Sequence, residues 1–175
     1  MRELEIWVGL PMHDIAAADA IATKHRMRAI ARRRVPANGL VVDAEEAMIM
    51  DKNGMRAELA AKCFLDPISW HADRDSVDLP DLGAFVDVKG VTNNRHSLAS
   101  HASKTRSDWA YLLVGAQFCP AFLMIGWAWG RELISAGPTS LVPGRISHVI
   151  RQGENKLRHP MELLEIVHKR KVRDA

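Results

Sequence analysis

The sequence holds only two cysteines, Cys63 and Cys119, in its 175 residues. Each sits in an apolar stretch, and no Cys/His pair has the spacing of zinc ligands. A disulfide framework and a structural zinc site are therefore excluded as expectations. Two reduced, buried thiols in a cytoplasmic protein are expected instead. No apolar run is long enough for a transmembrane helix. The longest, roughly Ala116 to Trp129, falls short of the ~20 residues that cross a bilayer. The opening residues, Met1 to Val8, lack the apolar core of a signal peptide. No Gly-rich phosphate loop is present, which removes the support for a transferase of that type. Internal repeats, low-complexity tracts and linkers are missing too, so one domain is expected.

What is present has an ordinary globular balance. The hydrophobic share of 47% against 26% charged residues argues against disorder. A net charge of +3 and a pI near 9.1 suit a nucleic-acid partner without requiring one. Leu4 to Leu10 reads as a short strand. Asp14 to about Arg34 reads as an Ala-rich helix that ends before Pro36 on a basic run, Arg32, Arg33 and Arg34. That run is equally a solvated helix end and a phosphate-contacting edge.

Ala44–Met50 and Met55–Leu65 read as two helical pieces, interrupted at Asp51–Lys52–Asn53–Gly54 and stopped by Asp66–Pro67. Strands are expected at Ala84–Val91, Trp109–Val114, Phe118–Trp127 and Arg145–Ile150. A short helix opens at Gly130. Residues 92–107 and 137–144 read as loops. A closing helix starts at Pro160 and runs to about Lys171, with Leu163, Leu164 and Val167 on one face.

The chemistry concentrates in Leu79 to Gly90. Alternate side chains of a strand share a face, so Asp87 and Lys89 point one way and Val86 and Val88 the other. The valine face packs on a core, which holds an acid and a lysine on the opposite face. Asp81 precedes the strand, where a turn at Leu82–Gly83 brings its carboxylate toward Asp87. Carboxylates brought close repel unless a cation lies between them. Hard oxygen ligands favour Mg²⁺, which polarises phosphate and acidifies bound water. Asp73, Asp75 and Asp78 are alternative first carboxylates; Pro80 and the following Leu–Gly favour Asp81. His96 and His101 have no recognisable ligand spacing. Trp109, Trp127 and Trp129 lie in or beside apolar strands and read as core.

Pro80–Asp81 followed by Asp87–Val88–Lys89 resembles the signature of the PD-(D/E)xK nuclease superfamily. Gly54 to Ala60 resembles the Gly-x-x-Ala-Glu-x-Ala helix of many members, with Glu58 at the glutamate position. Asp108 to Val114, then Ile125–Gly126–Trp127 and Gly130 to Leu133, resemble the two downstream strands and following short helix of small phage and prophage nuclease-like proteins. The resemblance covers about residues 50–135. Asp81 and Asp87 stand only six positions apart, and Asp replaces the commoner Glu before x-Lys.

The resemblance implies an α/β fold with a restriction-endonuclease-like core, a central mixed sheet with helices on both faces. It divides the single nuclease-like domain into an N-terminal helical extension (1–50), a catalytic core (51–135) and a C-terminal loop and helix (136–175). It implies hydrolysis of DNA phosphodiester bonds with Mg²⁺ or Mn²⁺, leaving a 5′ phosphate. Asp81 and Asp87 would hold the metal with the Val88 carbonyl, Glu58 would complete its shell, and Lys89 would serve the attacking water. Arg32, Arg33, Arg34, Lys169, Arg170 and Lys171 are the expected DNA contacts. A homodimer and a phage-encoded origin in a bacterial host cytoplasm fit this picture. A catalytically silent DNA-binding protein, or a phage structural or assembly protein on the same fold, is the alternative.

Overall fold

The computed structural model describes residues 5–31, 43–72, 79–92, 97–142, 145–151 and 157–174. Strand β1 (Ile6–Gly9) leads into helix α1 (Met12–Ala31), and α2 (Ala44–Phe64) packs against it. Asp43 caps α2, its side chain accepting from Glu46 N at 2.8 Å, a contact that contributes about 1 kcal/mol.

Helix α2 is continuous, which corrects the expected interruption at residues 51–54. The reason is tertiary. Arg26 Nε lies 2.8 Å from Asp51 Oδ2, close but not aligned as a hydrogen bond, and Lys52 Nζ lies 3.7 Å from Asp19 Oδ2. Arg56 grips the same Asp19 through two hydrogen bonds of 2.6 Å each. These links to α1 outweigh the roughly 1 kcal/mol that a mid-helix glycine costs.

Four strands form a mixed sheet in the order β1-β5-β4-β2, with β2 at Val86–Val91, β4 at Ala110–Phe118 and β5 at Ala121–Trp129. β5 runs antiparallel to both neighbours, while β2 and β4 are parallel. Alternation along β4 divides the interior. Ala110, Leu112, Val114 and Ala116 join a larger cluster with Ala18 and Ala22 of α1, Ala57 and Ala60 of α2, and Leu163 and Val167 of the closing helix. Tyr111 and Leu113 face a smaller cluster with Leu98, Leu133 and Ile150. Both faces of β4 are thus buried, and the strand reads as a nearly unbroken apolar run.

The second face differs from the expectation of helices on both sides. It is covered by α3 (Gly130–Ser135) and by a small antiparallel sheet, β3-β7-β6, from β3 (Leu98–His101), β6 (Pro138–Val142) and β7 (Arg145–Ile150). Segments read as loops therefore supply β3 and β6. Their short, polar sequences form strands because β7 offers a pairing edge on each side. Helix α4 (Pro160–Asp174) closes the larger cluster.

Cys63 and Cys119 are both exposed free thiols, not buried ones. Ala60, Ala61 and Leu65 take the inward face of α2 at that point, and Cys119 sits in the turn between β4 and β5. Among the described residues, no helix is long and apolar enough to cross a membrane.

Candidate active site at the outer edge of the sheet

β2 is an edge strand, and an uncovered edge leaves backbone donors and acceptors without strand partners. Here the preceding segment folds back over that edge. Leu82 N donates to Val86 O at 2.9 Å, and Val86 N returns a bond to Leu82 O at 3.1 Å. The reversal passes through Gly83, whose φ of +53° is a left-handed conformation that favours glycine. On its other side the segment is held by residues just beyond α2. Gly83 N donates to Ser69 O at 2.8 Å, His71 N donates to Asp81 O at 3.0 Å, and Trp70 bridges to Leu82.

One step further along β2, a side chain takes the place of a strand. Val88 N donates to Asp81 Oδ2 at 2.6 Å. Asp81 is 3% exposed, so its carboxylate is fixed on the amide that directly follows Asp87. The outward direction of Val86 and Val88 amides follows from the alternation of a parallel strand, since Phe85 O accepts from Ala110 N on the β4 side.

Asp87 and Lys89 lie on one face of β2, as their spacing requires. Asp87 is buried and forms an ion pair with the half-buried Lys89. Their face meets Tyr111, the cross-strand neighbour of Asp87, and Lys89 Nζ lies 5.8 Å from the Tyr111 ring centre. The Tyr111 hydroxyl accepts from Arg106 N at 2.9 Å. Burial pushes this phenol up from its ordinary value; the Arg106 amide opposes the shift, while the Asp87 charge adds to it. In the sequence Tyr111 is one residue of the expected strand Trp109–Val114 and carries no signal of its own. Its place opposite Asp87 depends on the long-range register of β2 with β4, which no local pattern encodes.

Glu58 approaches from the helical side. α2 crosses β2 closely at Gly90, where an added Cβ would stand 3.1 Å from Ala57 Cβ. Glu58 Oε2 accepts from Trp70 Nε1 at 3.1 Å. Glu58 is therefore joined to the Asp81 segment through Trp70 and its bridge to Leu82. Val86 and Val88 belong to the larger cluster on the helix side, and Asp87 and Lys89 to the opposite face. The three carboxylates thus arrive from one face, the edge and the other face. Among the described residues, no three His, Cys, Asp or Glu side chains gather into a group that could hold a metal. Asp81 at the edge and Asp87 on the adjoining face offer hard oxygens of the kind that suits Mg²⁺, which commonly takes only one or two carboxylates.

Arg32, Arg33 and Arg34 lie outside the described residues, as do Asp73, Asp75, Asp78 and His96. Lys169 is exposed and pairs with Glu165 at 3.6 Å, and Lys171 is exposed. Arg170 stacks its guanidinium 3.9 Å from the ring centre of Phe85, two residues before Asp87. His101 sits on β3 and accepts from Ser103 N through Nδ1 at 3.3 Å. No family model, curated protein or solved structure matches this chain.

Proposed function

We propose that the chain is a metal-dependent DNA nuclease built on a restriction-endonuclease-like core. The observation that carries the reading is the Asp81–Val88 hydrogen bond. It fixes one buried carboxylate on the amide that follows Asp87, whose own buried carboxylate pairs with Lys89. Two buried carboxylates and a lysine along one edge strand are the groups that metal-assisted phosphodiester hydrolysis uses.

Asp81 and Asp87 would hold Mg²⁺ or Mn²⁺, with the Val88 carbonyl as a further donor and Glu58 acting from the helical side through water. Bound there, the ion supplies Lewis acidity toward a phosphate oxygen and a more acidic water. Lys89 stabilises the negative charge that develops on phosphorus-bound oxygens and orients the attacking water. Asp87 holds Lys89 through their ion pair, and the buried Tyr111 closes that side against bulk solvent.

A second reading has an observation of its own. The Asp81 carboxylate satisfies an edge amide and Asp87 neutralises Lys89, which is also how a catalytically silent, DNA-binding scaffold would use them. Cleavage of DNA in Mg²⁺ or Mn²⁺, with a chelator control, separates the two. Lys89→Ala is expected to slow cutting about a hundredfold or more, the scale for loss of an oriented charge-stabilising group. Absence of cutting by the unaltered chain under any of these conditions favours the silent scaffold.

A further inference from the structure

At the end of the sheet where β2 and β4 begin and β5 finishes, two arginines flank one tryptophan. Arg131 Cζ stands 5.1 Å from the Trp129 ring centre, and Arg170 Cζ stands 5.8 Å from it. Arg170 also lies over Phe85, whose ring stacks on Trp129 at 6.2 Å and 28°. Trp129 is half-buried, while both arginines are exposed.

A third arginine nearby behaves differently. Arg158 sits over Trp127 but forks onto Glu132 with two bonds of 2.5 Å. That pair occupies the carboxylate closest in sequence to Arg131. Among the described residues, Arg131 and Arg170 form no ion pair. The fold thus stacks two guanidiniums on aromatic rings and, among the described residues, holds neither in an ion pair, although the Arg131 charge also acts on Glu132. Stacking restrains a guanidinium while its N–H fork remains available to a phosphate.

A cavity of about 480 Å³ opens beside Arg131, lined also by Glu132, Ser135, Ala136 and Ile150. Two exposed guanidiniums held on a half-buried tryptophan, beside a hollow, suit an unstacked strand, whose phosphates and bases can be reached together. A duplex presents phosphates but keeps its bases stacked. Phe85 stands two residues before Asp87, just ahead of β2, and packs with Trp129 on the helix side, so a strand held there would pass around the β2 edge to reach Asp87 and Lys89.

We infer that Arg131, Trp129 and Arg170 form a binding surface for a single-stranded nucleic-acid segment, with the guanidiniums on its phosphates. The inference deepens the nuclease reading by naming how substrate is held, and it is tested without cutting. Fluorescence anisotropy of a labelled single-stranded DNA oligonucleotide, in chelator, gives Kd as a function of salt.

The Arg131→Gln/Arg170→Gln chain should bind at least tenfold more weakly. Its log–log salt slope should be shallower by about 1.4, since each single-strand phosphate contact contributes about 0.7. Removing the same charge elsewhere, by Lys62→Gln/Lys104→Gln, should change Kd by less than threefold. Arg131→Lys/Arg170→Lys, which keeps both charges, should hold the slope and lose affinity at least threefold. A folded Gln double variant with unchanged Kd and slope overturns the surface. Duplex DNA bound as tightly as the single strand overturns the choice of ligand. If the unaltered chain binds the strand through these arginines but never cuts, the surface stands and the nuclease reading fails. If it cuts, and the Gln double variant cuts with unchanged KM, the reverse holds.

Discussion

Replacing Asp81 by alanine removes a hydrogen bond that belongs to the fold as well as a carboxylate that belongs to the proposed chemistry. Asp81 Oδ2 accepts from Val88 N at 2.6 Å, and the two residues are 3% and 7% exposed. A hydrogen bond to a charged group contributes about 1.5–3 kcal/mol, and an orphaned buried amide costs about 1–3 kcal/mol. These describe the same loss from two sides, so the expected destabilisation is about 2–3 kcal/mol. For a chain of this size that lowers Tm by about 4–12 °C. Asp81→Asn keeps an acceptor of the same shape and loses the charge, so about 1 kcal/mol is expected. Urea unfolding and calorimetric melting at neutral pH, on all three chains, provide the numbers. An alanine variant that unfolds with the unaltered chain would refute the role of Asp81 as the cap of the β2 edge. An asparagine variant as unstable as the alanine one would show that charge, not the acceptor, matters.

Gly130→Ala should be more damaging than any single change at the proposed site. The added Cβ would stand 1.8 Å from Arg106 O, a backbone atom; a loss of about 3 kcal/mol or more is expected, read as a drop in melting temperature. Asp19 and Glu132 both titrate below their ordinary values, through the hydrogen bonds from Arg56 and Arg158 respectively. A depressed native pKa stabilises the fold above the unfolded value, and that contribution is lost as pH falls through the native one. Melting temperature should therefore hold down to about pH 5 and fall toward about pH 3, with a shallower fall in Glu132→Gln.

The alternation Val86–Asp87–Val88–Lys89 was legible because a period of two needs only local sequence; β4 and β5 were legible as apolar runs, but Phe118 ends β4 and β5 starts at Ala121. The turn that brings Asp81 to the strand was legible in Gly83, whose left-handed backbone the structure displays. Other features were not legible, because they depend on partners distant in the chain. Asp51–Lys52–Asn53–Gly54 looks like a helix break until Arg26 and Asp19 are seen across from it. Leu98–Ala99–Ser100–His101 looks like loop until β7 lies beside it. Buried Leu98 and Ser100 do alternate with half-buried Ala99 and His101, a weak signal that the surrounding polar residues obscure. The Arg170–Phe85 stack joins the last helix to the residue just before β2, and a sequence cannot show which aromatic a distant arginine will find.

Calorimetric titration of Mn²⁺, alone and with uncut DNA present, is the most direct test of the central claim. The nuclease reading predicts saturable binding that Asp87→Ala abolishes and Lys89→Ala preserves. Absence of divalent-metal binding by the unaltered chain, with DNA as well as without it, would contradict that reading and leave the edge carboxylates with a structural role alone.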